Sequence, residues 1–384
     1  HISVHRYYMG LDLKREIPYE EAVTHWYEAV YLPVARIIRE QSVLHRFPGR
    51  TETDLYLWIA EQRANIEEQL GWKIQTEYAA SALLAQHTEK HGLFNWLGEK
   101  LADLIAPGKL ETGPPVGQWR AIAASARSED CLFLDILVPV NGRQESWHAL
   151  EQAIQVASRE CSRLHGLYVV KSDAKRDSPS ARKVKEKFDQ RCQEMGISGE
   201  LTIAVNDNIS QEICQRAGFT DLVVTNLAHP PSAGVLARLN SGFRELILRC
   251  PRPILAAPQT TSRLERALLA YDGGPKAKEA LFLSAYLAAK WKIPVSIVTI
   301  SDGSWIAQNT LEEARQYLET HGAQVTTFLE NGPVAETILR ISQEQRCDLL
   351  IMGGYGRSPV VEMVLGSALD RVLRESRQPM LICR

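Results

Sequence analysis

The chain has 384 residues, with 44 lysines and arginines against 46 aspartates and glutamates, so its formal net charge is −2. Hydrophobic residues make up 45% and charged residues 23%, a composition typical of folded globular proteins rather than disordered chains. The near-neutral charge excludes a global field that would attract nucleic acid or an anionic membrane, so any phosphate site must be local. At about 150 residues a domain, the length predicts two or three domains.

The seven cysteines are scattered singly, without a Cys-x-x-Cys pair. This pattern indicates reduced thiols in a reducing compartment rather than a disulfide framework or a zinc site. No apolar run approaches the roughly 18 residues of a membrane span, and no signal peptide is visible. We therefore expect a cytoplasmic protein without membrane contact and without a metal site made by its side chains. The chain begins at His1 rather than at a methionine, as a piece of a longer protein would.

The first 105 residues are predicted to be almost wholly helical. Apolar residues recur at helical spacing over residues 18–45, and further helices are predicted over residues 51–70, 76–91 and 93–105. Residues 106–130 contain Pro-Gly and Gly-Pro-Pro, which are typical of a linker.

Beyond the linker, apolar runs alternate with helical patterns, which predicts a parallel sheet covered by helices. We call residues 131–258 the first half. Its predicted strands are residues 134–140, 166–170, 201–205, 221–225 and 253–257. Its predicted helices are residues 145–165, 180–195, 210–217 and 242–249.

Residues 264–384, the second half, repeat this order. The predicted strands are residues 266–271, 294–300, 324–329, 348–352 and 379–383, and the predicted helices are residues 276–291, 310–321, 333–345 and 366–375. Asn141 and Asp272 fall in matching places, which gives a repeat of about 131 residues. The predicted fold class is α/β, with two tandem five-stranded, Rossmann-like parallel-sheet domains preceded by an all-α segment.

A glycine pattern follows the fourth strand of the second half. Gly353 and Gly356 are separated by two residues, and nine residues then precede Gly366 and Ser367. Glycines at the carboxyl end of a strand let backbone N–H groups approach an anion without an intervening Cβ. Gly366 and Ser367 are predicted to open a helix, whose free N–H groups and dipole favour a phosphate. We call residues 353–367 the glycine segment.

A carboxylate stands at the end of the first strand of the same half, where Asp272 follows Tyr271. The first and fourth strands of an open parallel sheet of this kind flank the crevice in which ligands bind. Asp272 is therefore predicted to accept a hydrogen bond from a ribose hydroxyl or from a donor on the adenine side.

With these residues, the second half resembles an ATP-binding domain of the universal stress protein family, whose signature is G-x-x-G-x9-G-S/T. The resemblance covers all five strands and implies a strand order of 3-2-1-4-5 and a bound ATP, with or without Mg²⁺. It implies that the nucleotide site is formed by Ala270, Tyr271, Asp272, Ile300, Met352, Gly353, Gly356, Arg357, Gly366, Ser367 and Ala368. Tyr271 departs from the family, in which small residues are common at this place, and its ring is expected to stack on the base or to narrow the site.

The first half resembles the same family without the signature. Asn141 replaces Asp272, and Asn226 and His229 stand where the two loop glycines would be. We therefore predict that this half is a degenerate, structural partner of the second. Family members commonly pair through the fifth strand, so the resemblance implies such a pair either within this chain or in a homodimer.

The helical N-terminal segment resembles a region that follows a ParB-like domain in some bacterial proteins, which implies such a module upstream of His1. For the whole chain, the leading hypothesis is a cytoplasmic ATP-binding stress or signalling protein that senses adenine nucleotide. One alternative is slow ATP hydrolysis or nucleotidyl transfer, for which the sequence offers no evident general base other than Asp272. The other is a scaffold that holds a structural nucleotide, and nucleic acid is not an expected partner.

Overall fold

The computed structural model describes residues 2–13, 15–40, 47, 51–70, 72–76, 78–80, 131–227, 242–301, 305–355 and 368–384. The chain divides into two compact units, residues 1–108 and 109–384. The predicted linker, residues 106–130, lies outside the described residues, as does the predicted helix over residues 93–105. No described helix combines the length and the apolar character that a membrane crossing requires.

The first unit is helical where it is described. Its helices are α1 (Ile2–Leu13), α2 (Tyr19–Trp26), a π-helical turn (Tyr27–Tyr31), α3 (Leu32–Glu40) and α4 (Glu52–Leu70). Helix α4 begins with a capping box. The hydroxyl of Thr51 accepts a hydrogen bond from the amide of Asp54 at 3.2 Å, and the Asp54 carboxylate accepts one from the amide of Thr51 at 2.8 Å. Helix α1 lies in the region that was predicted to be almost wholly helical, although its bounds were not predicted.

The second unit contains one ten-stranded sheet. Its strands are β1 (Asp135–Pro139), β2 (Arg163–Val170), β3 (Gly199–Val205), β4 (Leu222–Asn226), β5 (Ile254–Ala257), β6 (Ala267–Ala270), β7 (Val295–Ile300), β8 (Val325–Glu330), β9 (Leu349–Gly353) and β10 (Met380–Cys383). Its helices are α5 (Gln144–Glu160), α6 (Pro179–Glu194), α7 (Ile209–Ala217), α8 (Gly242–Arg249), α9 (Pro275–Trp291), α10 (Trp305–Thr320), α11 (Val334–Glu344) and α12 (Ala368–Glu375).

The strands follow the order β3-β2-β1-β4-β5-β10-β9-β6-β7-β8. Each half therefore contributes five strands in the order 3-2-1-4-5, and within each half every pairing is parallel. Almost all residues of the central strands are buried, as expected when helices cover both faces of a parallel sheet. The predicted fold class is confirmed.

The two halves join through their fifth strands. Strand β10 pairs antiparallel with β5, with Leu255 opposite Leu381 and Ile254 opposite Ile382. Leu255 and Leu381 also hold matching places in the two repeats, so a pseudo-twofold axis passes through this pair. The pairing of two halves within one chain, one of the two arrangements that the resemblance implied, is thus present in the structure.

One large cluster of buried hydrophobic side chains runs through both halves. Phe133, Leu150 and Phe188 of the first half belong to the same cluster of buried side chains as Leu283 and Leu318 of the second. Because burial of apolar surface is the main favourable contribution to folding, the two halves share their principal source of stability.

The end of helix α5 differs from the prediction. The sequence predicted a helix over residues 145–165, but α5 ends at Glu160 and strand β2 already begins at Arg163. Cys161 ends the helix in a left-handed conformation with φ 52°. Such an ending usually carries a glycine, so the sequence held no signal for it.

A buried carboxylate also links the two halves through hydrogen bonds. Glu160 at the end of α5 is fully buried, and it accepts hydrogen bonds from the Tyr286 hydroxyl at 2.6 Å and the Trp291 Nε1 at 2.7 Å. Both donors lie on α9 of the second half. Burial, together with this hydrogen bond to Glu160, raises the pKa of Tyr286 above its ordinary value. The hydroxyl therefore stays protonated and keeps donating to the carboxylate.

Replacing Tyr286 with phenylalanine removes one of these donors and leaves a buried carboxylate oxygen less well satisfied. We expect Tyr286→Phe to lower the free energy of unfolding by about 1.5–3 kcal/mol, as for other hydrogen bonds to charged groups. Chemical denaturation measures this loss. The control is Tyr317→Phe, in which the ring that packs on His321 at a centroid distance of 4.4 Å is kept, and we expect a change within about 0.5 kcal/mol. Equal losses in both variants would contradict the role of Glu160.

Candidate functional site

The candidate site lies at the carboxyl edge of three neighbouring strands of the second half. Strand β6 is flanked by β7 on one side and by β9 on the other, so that Ala270 pairs with both Val298 and Met352. The chain runs from β6 to β7 in one direction and returns to β9 in the other. This change of direction opens a crevice at the carboxyl ends of the strands, which is where open α/β sheets bind ligands.

The residues predicted from the resemblance fall into three groups. Six of them end or follow these three strands and lie together at this edge: Ala270, Tyr271, Asp272, Ile300, Met352 and Gly353. Ala368 is the first residue of helix α12. The other four predicted residues lie outside the described residues: Gly356, Arg357, Gly366 and Ser367.

Asp272 is exposed and shapes the turn that leads from β6 into α9. Its Oδ1 accepts a hydrogen bond from the amide of Gly274 at 2.8 Å, and Gly273 between them adopts a φ of +76°. A short oxygen-bearing side chain followed by a glycine with positive φ is favoured in such turns. The carboxylate is thereby held at the carboxyl edge of the sheet, facing solvent.

The first half builds the same turn with an amide. The Oδ1 of Asn141 accepts a hydrogen bond from the amide of Arg143 at 2.9 Å, and Gly142 has a φ of +78°. The turn therefore needs an oxygen acceptor but not a negative charge. The charge of Asp272 is what distinguishes the second half at this position.

Helix α9 begins directly after this turn and presents a positive end to the crevice. No side chain caps its N-terminus, no acidic residue lies in its first turn, and Lys276 and Lys278 stand there instead. The dipole already gives a helix N-terminus partial positive charge, so lysines at this place are unfavourable unless an anion compensates them. Lys276 was not among the residues singled out from the sequence, although a lysine in a first turn is a signal that could have identified it.

Two contacts tie the start of the glycine segment to its surroundings. The Nζ of Lys276 donates a hydrogen bond to the backbone oxygen of Tyr355 at 2.5 Å. The amide of Gly354 donates to the backbone oxygen of Cys383 at 2.6 Å. The first residues after β9 are therefore held by α9 on one side and by β10 on the other.

Packing accounts for the glycine at position 353. A Cβ on Gly353 would lie 3.0 Å from the backbone nitrogen of Ala277 and 3.0 Å from the carbonyl carbon of Lys276. The end of β9 thus approaches the first turn of α9 so closely that a side chain would require one of the two backbones to shift. This contact brings the strand end and the positive helix end together.

Tyr271 is buried, which bears on the first of its two expected roles, stacking on the base. Its exposed fraction is 6%, and its ring belongs to the hydrophobic core. The backbone oxygen of Tyr271 accepts a hydrogen bond from the Thr299 hydroxyl at 2.9 Å. Burial, with the charges of Glu313 and Asp272, raises the pKa of the phenol. The ring therefore packs beneath the site and offers no open face for stacking on a base.

The described residues do not bring three or more histidine, cysteine, aspartate or glutamate side chains together as a metal site would.

The second half is similar in sequence to known proteins. The model of the Universal stress protein family matches residues 264–384. The universal stress protein Slr1230 of Synechocystis sp. is 27% identical over 169 residues, which are 44% of this chain and 59% of that protein. The universal stress protein MJ0577 of Methanocaldococcus jannaschii is 31% identical over 78 residues, 20% of this chain and 48% of that protein. The chain thus covers 59% and 48% of the length of these two relatives.

Similarity in structure extends over both halves. A universal stress protein from Archaeoglobus fulgidus superposes with a TM-score of 0.58 and 21% identity, covering 67% of this chain and 98% of that one. At this identity the match concerns the fold. The family model, in contrast, matches the half that carries the glycine pattern. Residues 264–384 are therefore a domain of the universal stress protein family.

Proposed function

We propose that the second half binds an adenine nucleotide and that ATP is the leading candidate. Its phosphates would lie at the glycine segment and its ribose near Asp272. Through this site the chain acts as a cytoplasmic nucleotide-dependent sensor or signalling module. The observation that carries the proposal is the uncapped, lysine-bearing N-terminus of α9, which meets the end of β9 three residues before Gly356.

Charge supports a phosphate at this edge. The overall charge of the chain is −2, so anion binding depends on local groups. The dipole of α9 supplies partial positive charge at the crevice, and Lys276 and Lys278 lie in the first turn of the same helix. The sequence pattern adds a second helix start at Gly366 and Ser367, whose amides are suited to an anion.

The divergence of the halves supports a site in the second half. Asn226 occupies in the first half the place that Gly353 holds in the second, as the matching segments DLVVTNL and DLLIMGG show. Asn141 likewise replaces Asp272 while keeping the turn. The first half thus retains the fold and lacks both the charged acceptor and the glycines, which is the pattern of a structural partner.

The direct test measures binding of ATP, ADP, AMP and cyclic AMP to the intact chain by calorimetry, with and without Mg²⁺. Mass spectrometry of ligand released from the freshly purified protein identifies what is held in the cell. Binding of one adenine nucleotide per chain supports the proposal, whereas absence of binding for all four refutes it. Turnover measured with Mg²⁺ separates a sensor from the alternative of a slow ATPase.

Asp272 allows a test that separates turn formation from ligand contact. Asp272→Asn keeps the oxygen acceptor for the Gly274 amide, as Asn141 does in the first half, but removes the charge. If the carboxylate binds the nucleoside, we expect both Asp272→Asn and Asp272→Ala to weaken ATP binding. The loss expected for a hydrogen bond to a charged group is about 1.5–3 kcal/mol, roughly tenfold to a hundredfold in Kd.

The control for this experiment is Asn141→Ala, which removes the matching turn acceptor in the first half. We expect it to leave the affinity for ATP unchanged. Loss of affinity in Asp272→Ala alone, with Asp272→Asn unaffected, would mean that the side chain serves the turn and does not contact the ligand.

A side chain at Gly356 tests the glycine pattern itself. Backbone amides can surround a phosphate at this position when no Cβ stands between them. We expect Gly356→Val to abolish ATP binding while the circular dichroism spectrum and the thermal midpoint without nucleotide stay close to those of the wild type. Unchanged affinity in Gly356→Val would place the phosphates elsewhere.

A further inference from the structure

An arginine of the first half is buried against the second half. Arg244 lies on α8, and its Nη1 donates to the Oδ2 of Asp370 on α12 at 2.8 Å. The side chains are 4% and 1% exposed, respectively. The pair therefore crosses between the halves in a place that water scarcely reaches.

The same arginine contacts Tyr355, which directly precedes Gly356. The guanidinium carbon of Arg244 lies 4.1 Å from the centroid of the Tyr355 ring, and the Tyr355 hydroxyl donates to the Oδ1 of Asp370 at 2.5 Å. Tyr355 is itself 1% exposed. Arg244, Tyr355 and Asp370 thus form one buried group, in which each side chain contacts the other two.

This group joins the two flanks of the glycine segment. Tyr355 stands near its beginning, and Asp370 lies three residues beyond Ser367, in the first turn of α12. Lys276 holds the Tyr355 backbone from the side of α9. A residue from outside the second half therefore helps to set the distance between the ends of the segment that is proposed to bind phosphate.

The pseudo-twofold axis explains why the pair has opposite charges. Arg244 and Asp370 are separated by 126 residues, the same spacing that relates Leu255 to Leu381 across the axis. They hold matching positions on α8 and α12. Two second halves paired in this way would bring two Asp370 carboxylates together, and two first halves would bring two arginines together. The opposite charges suit a first half paired with a second half.

A gain in the free energy of folding does not by itself account for this buried ion pair. Removing two charges from water costs free energy that their attraction often only offsets, and apolar replacements are frequently as stable. A planar guanidinium that stacks on a ring while donating to a carboxylate does, however, fix the relative geometry of its partners. The main effect of this arrangement is therefore to fix the positions of Tyr355 and Asp370 and not to stabilise the fold.

We propose that Arg244 is a positioning residue for the nucleotide site, through which the first half sets the geometry of the flanks of the glycine segment and hence the affinity for nucleotide. This role rests on the proposed function of the second half. The first half, without a glycine signature of its own, thereby contributes to binding in its neighbour.

The test compares Arg244→Met with Arg216→Met in the full chain. Arg216 provides the matched control because its side chain is 6% exposed and its Nε contacts Glu212 at 2.6 Å, within α7 of the first half. Both variants remove a buried guanidinium from an ion pair. Each is measured at the same interval below its own thermal midpoint, so that differences in global stability do not enter.

Two readouts are taken. Without nucleotide, we expect hydrogen exchange at the amides of Gly354, Tyr355 and Asp370 to rise about tenfold or more in Arg244→Met relative to Arg216→Met. With ATP, we expect Kd to rise about tenfold in Arg244→Met and to stay within about twofold of the wild type in Arg216→Met. Arg244→Lys, which keeps the charge but not the planar group, is expected to fall between Arg244→Met and the wild type.

Tyr355→Phe tests the same role if Arg244→Met does not fold. It keeps the ring under the guanidinium and removes the hydroxyl that donates to Asp370, and we expect ATP binding to weaken about fivefold. Equal exchange and equal affinity in the Arg244 and Arg216 variants, or an unaffected Tyr355→Phe, would overturn the role of Arg244. Failure of the wild-type chain to bind any adenine nucleotide would overturn the proposed function instead, so the two failures are distinguishable.

Discussion

The antiparallel pairing of β5 with β10 is the constraint on which the rest of this structure depends. It joins two five-stranded sheets into one and pairs two strands that would otherwise each present unsatisfied backbone groups at an edge. It also places α8 beside α12. The amide of Gly354 donates to Cys383 of β10, and a Cβ on Gly354 would lie 3.6 Å from Ile247 of the first half. The candidate site is thus built against the partner half.

Within this sheet the two halves share the same backbone turn after their first strands but differ in the side chains at that turn. Each begins with an oxygen-bearing side chain and a positive-φ glycine after its first strand. The second half adds a carboxylate at this turn and a glycine where β9 approaches α9. Such changes leave the packing of the sheet intact, because they lie at the carboxyl edge and not in the core. The two halves therefore differ in chemistry at one edge of a shared fold.

Gly353, the first residue of the glycine segment, lies where a close packing contact and a positive electrostatic environment coincide. Gly353 is favoured by the approach of β9 to the first turn of α9, where a Cβ would be 3.0 Å from backbone atoms. That same approach brings the strand end to a helix terminus with two lysines and no acidic residue in its first turn. Lysines there oppose the helix dipole. A structural contact and an electrostatic one therefore coincide at the place where the sequence pattern predicts a phosphate.

The sequence by itself determined the α/β class and the duplication and predicted the edge at which a ligand would bind, since hydrophobic periodicity and glycine spacing are local signals. It did not reveal the end of α5 at Cys161, because a non-glycine residue in a left-handed conformation leaves no mark in composition. Only the tertiary structure decided that Tyr271 is buried beneath the site and that Arg244 reaches Tyr355 and Asp370. The contacts of Arg244 join residues more than 100 positions apart in the chain. They form because two strands pair across a pseudo-twofold axis, and no local sequence preference predicts them.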